Sequence, residues 1–161
     1  MEISQPIVKC VESNDDKSYG KYTFAPLERG FGITLGNSLR RVLLSSLSGA
    51  AVTQVKIDKI RHEFSTVPGI IEDMTEIILN IKGIRAKLTS DSKIVSISVA
   101  KGRTGELTAG DIVHGPDVEI MNPNHVIAHL NGSDDVFMEF TLEKGRGYNT
   151  AEQNKPEKQI I

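Results

Sequence analysis

Several groups of residues in this 161-residue chain have types and spacings that could do chemistry. Gly30, Gly32 and Gly36 surround the start of a candidate helix, where free backbone amides could cradle a phosphate. No Gly-Lys-Ser/Thr follows, and the glycines fail the dinucleotide spacing, so a structural bend is the plainer reading. A small nucleotide-binding module using the glycine-rich bend at 30–36 is kept as the alternative function. Glu72, Asp73 and Glu76 could serve as general acid and base. They also fall at the start of a predicted helix, where acids favour the helix dipole, and are read as surface. His125 and His129 would share a face on a helix but stand too far apart on a strand for an easy shared metal, and no third ligand is near. They are read as solvated or capping histidines. Lys144-Gly145-Arg146-Gly147-Tyr148 mixes basic and aromatic residues like a nucleic-acid loop, but too few of them, and predicts a tight turn. No catalytic residue, metal site or cofactor is expected.

Composition sets the bounds. The hydrophobic share of 39% and charged share of 25% are those of a soluble globular protein of one domain or two small ones. Nineteen Lys+Arg against 21 Asp+Glu give a net charge of -2, so nothing marks the chain for gripping a phosphate backbone, and direct nucleic-acid contact is not expected. The single cysteine, Cys10, cannot close an internal disulfide and is read as a buried thiol in a reducing compartment. The first residues lack a basic segment followed by an apolar run, and nothing approaches the roughly 18 apolar residues of a membrane span. A cytoplasmic protein is expected.

The elements follow from period and punctuation. Ile7-Val8-Lys9-Cys10-Val11 and Lys21-Tyr22-Thr23-Phe24 flank a turn-rich stretch over 13–17 and predict a hairpin ended by Pro26. A helix is predicted over 34–47, with Thr34 as N-cap and Gly49 beyond its end. From Ala50 the period becomes two, and Ile60, His62 and Phe64 are read as the second strand of another hairpin. Pro68-Gly69 is expected to open a second helix with Ile70, Ile71, Met74, Ile77, Ile78 and Ile81 on one stripe. Strands follow over 84–88, 94–99, 117–121, 126–130 and 136–142, and then a mobile polar tail over 148–159. Ile160-Ile161 make an odd apolar ending, from which the natural protein is expected to continue. The fold class is α+β.

One hairpin and one helix make too small a core to stand unaided, so the first 48 residues are expected to need a partner surface. At about 100° per residue the helix places Leu35, Leu39, Val42, Leu43 and Ser46 on one face, a core or dimer interface. The other side gathers Asn37, Arg41, Leu44 and Ser45, with Arg40 nearby. Guanidinium groups around a large apolar side chain have the composition of an interface hot spot. Two readings stand together here: a protein-docking face, or a face covered by the chain's own second sheet with the arginines solvated.

The run Pro26-Leu27-Glu28-Arg29-Gly30-Phe31-Gly32-Ile33-Thr34-Leu35-Gly36-Asn37-Ser38-Leu39-Arg40-Arg41-Val42-Leu43-Leu44-Ser45-Ser46 closely resembles the amino-terminal domain of bacterial RNA polymerase alpha subunits. The likeness continues through His62-Glu63-Phe64-Ser65-Thr66, Ile78-Leu79-Asn80-Ile81-Lys82-Gly83, Leu107-Thr108-Ala109-Gly110-Asp111-Ile112 and Gly145-Arg146-Gly147-Tyr148. It implies a dimerisation subdomain begun by residues 1–48 and left incomplete, joined to an inserted, mostly antiparallel β subdomain with one helix over 49–161. It implies a non-catalytic assembly subunit that dimerises with a second alpha subunit and carries the beta and beta-prime subunits of a nucleotidyltransferase whose catalytic residues lie elsewhere. Carried over by position, Asn37, Arg40, Arg41, Leu44 and Ser45 form one beta-facing patch, and His62, Glu63, Phe64, Ser65 and Thr66 a second. Phe31, Leu35 and Leu39 map to the dimer contact. Family members continue into a stretch that completes the first subdomain and leads to a DNA-binding domain; an expressed fragment or a truncated reading frame is the expectation here.

Overall fold

A computed structural model describes residues 5–15, 18–62 and 64–155; Glu63 and the Ile160-Ile161 ending fall outside them. The chain divides into two compact units, 1–46 and 47–161.

In the first unit, β1 (Ile7–Ser13) and β2 (Gly20–Ala25) pair antiparallel, with Ile7 opposite Ala25 and a bulge between Cys10 and Glu12. The Asn14 side chain accepts the Tyr19 amide at 2.8 Å and fixes the turn locally. The helix α1 spans Phe31–Ser45 and starts three residues earlier than predicted. Its N-cap is Gly30 at φ 87°, and no side chain caps it, so Thr34 lies inside the helix. Glycine takes this left-handed turn without a Cβ clash, which lets the helix begin at once. At the other end the Ser45 hydroxyl donates to the Arg41 carbonyl at 2.6 Å, and the helix stops short of Leu47. No described residue of this unit is buried; only Phe24 and Leu35 are half-buried. Cys10 is therefore exposed, not the buried thiol expected, because a two-stranded sheet has too little structure of its own to bury a face.

The second unit holds the core. A five-stranded antiparallel sheet runs in the order β5 (Ser92–Val99), β9 (Val136–Arg146), β3 (Ser48–Ile57), β4 (Ala86–Leu88), β7 (Val118–Ile120). A separate pair joins β6 (Thr104–Thr108) to β8 (Val126–Asn131), and the helix α2 (Met74–Ile81) lies along β8, where the Asn80 side-chain amide donates to the Ile127 carbonyl at 3.0 Å. On β9, buried Val136, Met138, Phe140 and Leu142 alternate with half-buried Phe137, Glu139, Thr141 and Glu143. They form one apolar cluster with Ile57, Ile77, Ile97, Leu107 and Ile127, from strands and helix alike.

The strand from Ser48 pairs with β9 on one side and β4 on the other, and not with residues 60–64. Its end is set at Lys59, which turns to φ 68° and places its ammonium 3.0 Å from Asp134, while the Asp58 amide donates to the Phe137 carbonyl. The contact with Lys59 is the main reason the Asp134 carboxyl is pulled down to about 2. Ile60, His62 and Phe64 thus sit in a loop. Pro68-Gly69 does not open a helix: Ile70 bridges Leu130, and α2 starts at Met74, capped by the Asp73 carboxylate, which accepts the Glu76 amide at 2.8 Å. Ile70, Met74, Ile77 and Ile81 are buried and Ile78 half-buried, but Ile71 is 70% exposed because successive residues of an extended segment point to opposite sides.

The strand β6 was not foreseen. Of the tight turn expected at 144–148, residues 144–146 are instead the end of β9, with Gly145 opposite Gly49 and Arg146 opposite Ser48, and the chain bends only beyond it, at Gly147 with φ 66°. The expected mobile tail contains a single helical turn, α3 (Ala151–Asn154), closed by reciprocal bonds between Thr150 and Gln153. Residues 156–159 of that tail lie outside the described residues.

Candidate docking surface

The helix α1 presents two strips, and neither is buried. Phe31, Leu35 and Leu39 recur every four residues, with Val42 and Leu43 continuing their side. Leu35 is half-buried and the others are exposed, Leu39 marginally at 37%. Asn37, Arg41, Leu44 and Ser45 line the other strip at helical spacing, with Arg40 beside them. Leu44 is 66% exposed. Among the described residues, neither guanidinium has a hydrogen-bond or ion-pair partner. The Ser45 hydroxyl is turned back onto the Arg41 carbonyl. Within the first unit the outward side is open.

The other carried-over patch is the loop at 62–66, in the second unit. Phe64 stands 83% exposed, Ser65 is half-buried and Thr66 is exposed. The Ser65 hydroxyl lies 3.1 Å from His62 Nδ1, which ties the two ends of this short loop together. Its backbone is fastened where it meets the core: Thr66 bridges Asp73, the Met74 amide donates to the Ser65 carbonyl at 3.2 Å, and Val67 is buried. The described residues of the first patch share a helix strip, and those of the second share a loop. Glu63 lies outside the described residues.

Of the groups weighed for catalysis, Glu76 is exposed, while Asp73, Glu72 and the two histidines make contacts that hold the fold. Asp73 caps α2. Glu72 is not the solvated surface acid expected: its side chain is 14% exposed and binds both the backbone amide and the ring of His129. Burial pushes the Glu72 carboxyl up, but the hydrogen bonds from His129 outweigh it and hold the group below the usual range. The same bond raises the His129 ring above its ordinary value, with Glu106 adding to it. The His125 ring nitrogen Nε2 lies 2.7 Å from the Asn80 carbonyl at the end of α2, the capping role expected of it. The two histidines are thus spent on different partners. Arg103 and Asp111 form another local tie, at 2.7 Å, with Asp111 also accepting the Thr108 amide at 2.9 Å. Burial raises the Asp111 carboxyl, and those two donors overcome it and lower it. Gly32 and Gly36 lie inside α1, and a Cβ at either would meet nothing within 4 Å, so no close backbone approach explains them.

The Glu72–His129 tie is the contact that sequence reasoning missed. Its partners are 57 residues apart and meet only because Ile70 bridges Leu130. Neither residue's own neighbourhood carries a periodic signal for that pairing.

The chain has an α+β fold, and both strips of its first helix are exposed. The comparisons place it more closely. Residues 55–161 match the RNA polymerase Rpb3/RpoA insert domain, and the chain belongs to that family. It is 53% identical over its whole length to the DNA-directed RNA polymerase subunit alpha of Desulforamulus reducens and 56% to that of Moorella thermoacetica. The match to the same subunit of Clostridium beijerinckii is 53% over 96% of the chain. The chain spans about half the length of these relatives, 51%, 50% and 49% in turn. The likeness to the amino-terminal domain of bacterial alpha subunits, read first from residues 26–46, is thereby shown. Among the described residues no helix is long and apolar enough to cross a membrane.

Proposed function

We propose that the protein is a non-catalytic assembly subunit of a bacterial, cytoplasmic DNA-directed RNA polymerase, a dimerising platform for the beta and beta-prime subunits, which carry the catalytic residues. One observation carries this reading: a 15-residue helix, α1, without a single buried residue. An amphipathic helix gains its stability in a protein from the burial of its apolar side. Covering Leu35, Leu39, Val42 and Leu43 would contribute about 1.5–3 kcal/mol for each side chain fully removed from water. A second copy of the chain, bringing the same strip, supplies that cover in a self-complementary contact that also contains Phe31. The opposite strip, with Asn37, Arg40, Arg41, Leu44 and Ser45, then stays free for the beta subunit, and the 62–66 loop adds a second contact to the same partner. The names of the relatives and the family match support this assignment.

The dimer contact has a direct test in light scattering. The chain is expected to run larger than its 17.6 kDa monomer, and Leu39→Asp to shift it to the monomer mass with its circular dichroism unchanged. A wild-type chain that stays monomeric at every concentration, or a variant that associates as well as the wild type, would contradict the dimer contact.

A further inference from the structure

We propose that Glu72 and His129 form a titratable clamp that positions Ser65 and Thr66 of the docking loop, so that capture of a partner by this loop weakens as the histidine loses its proton. The inference rests on the reading of that loop as a docking patch and names how the patch would be regulated.

The clamp's geometry is specific. One Glu72 oxygen meets the His129 ring at Nδ1, and the other accepts the His129 backbone amide at 2.7 Å. The Ile71 amide donates to the His129 carbonyl at 2.9 Å, so both backbone groups and the ring of one residue are held by two consecutive residues of the 69–73 segment. The Asn131 amide donates to the Gly69 carbonyl at 3.0 Å and extends the seam along β8. The residue after Glu72 then fixes the loop, because Asp73 bridges Thr66 and the next amide, that of Met74, holds the Ser65 carbonyl. A shift at Glu72 is therefore passed through two residues of covalent chain to Ser65 and Thr66, and from Ser65 to His62.

The charges around the ring set its response to pH. Glu72 faces it from the 69–73 segment, and Glu106 faces it from β6, opposite His129 in register. Asp73 is turned away to the Glu76 amide. Two carboxylates around one imidazole favour the imidazolium. The ring is 48% exposed, so protons reach it freely. Because the folded value of His129 is raised, the ion pair is complete below the ordinary histidine range and is lost as pH rises through that raised value. Because that of Glu72 is lowered, its contribution is present above the ordinary carboxylate range and is lost only as pH falls through the lowered value. Between these limits both groups are charged. Above the upper one the neutral ring can still donate from Nδ1 to the Glu72 carboxylate, but the attraction between opposite charges is gone and the tie is weaker.

Amide hydrogen exchange of the full chain, corrected for the intrinsic pH dependence, tests the clamp. Protection of the Ile71 and Met74 amides is expected to fall roughly threefold or more between about pH 6 and about pH 8.5 in the wild type. In His129→Gln and Glu72→Gln it should be low at both values and independent of pH. Capture of the purified beta subunit should follow the same profile in the wild type and lose it in His129→Gln, while His62→Gln keeps the Ile71 and Met74 profile. Protection that does not change with pH in the wild type, or that changes equally in His129→Gln, would overturn the clamp. A clamp that titrates while beta capture stays flat would overturn the regulatory proposal through its other half, the loop as a docking patch.

Discussion

Phe140→Ala is expected to remove about 3–5 kcal/mol from the stability of the 47–161 unit, a large part of the roughly 5–15 kcal/mol that holds a domain folded. Phe140 is fully buried at the middle of β9, opposite Val55 on β3 and Val95 on β5. It packs in a cluster of branched aliphatic residues held on antiparallel strands, which cannot close over a lost ring without shifting the sheet. Urea titration followed by circular dichroism would read the loss as a lower midpoint at unchanged slope. Phe137, its neighbour on the other face of the same strand, is only half-buried, and Phe137→Ala is expected to cost less. A loss under about 1 kcal/mol at Phe140 would mean that the core is not packed as described.

Arg41→Ala is expected to weaken capture of the beta subunit by at least about 30-fold, the 2 kcal/mol that marks an interface hot spot. The unfolding transition of the chain should not move, because the Arg41 guanidinium has no partner among the described residues to lose. Arg41→Lys should restore little of the binding, since an ammonium cannot reproduce the planar donor fork of a guanidinium. Leu44→Ala should fall between the two, through lost apolar contact alone. A titration of beta against each variant gives these affinities. Binding of Arg41→Ala within a factor of two of wild type would remove the helix from the interface.

The local pattern made part of this legible before any coordinates. The alternation along β5 and β9 is a one-dimensional signal that burial repeats, and of the stripe Ile70, Ile71, Met74, Ile77, Ile78 and Ile81 all but Ile71 are buried or half-buried. The arginines around Leu44 could be singled out because their composition is wrong for a solvated face. What failed depends on contacts far along the chain. Ile60, His62 and Phe64 have strand-like spacing, and Pro68-Gly69 looks like a helix start. The actual course is dictated by Asp134 on Lys59 and by Leu130 on Ile70, which no window of neighbours contains. β6 has only five residues, including Gly105, and its pairing with β8 is likewise a distant choice. The start of α1 was misplaced for a smaller reason, since Thr34 has the chemistry of a cap but Gly30 has the backbone freedom that the bend requires.

Hydroxyl-radical footprinting of Leu44, in the isolated chain and again in polymerase assembled with it, reads most directly whether the outward strip of α1 is covered by another polypeptide. Strong labelling of this leucine in the free chain and its suppression in the complex are the predicted pair of results. Equal labelling in both states would contradict the platform role, whatever the chain's kinship.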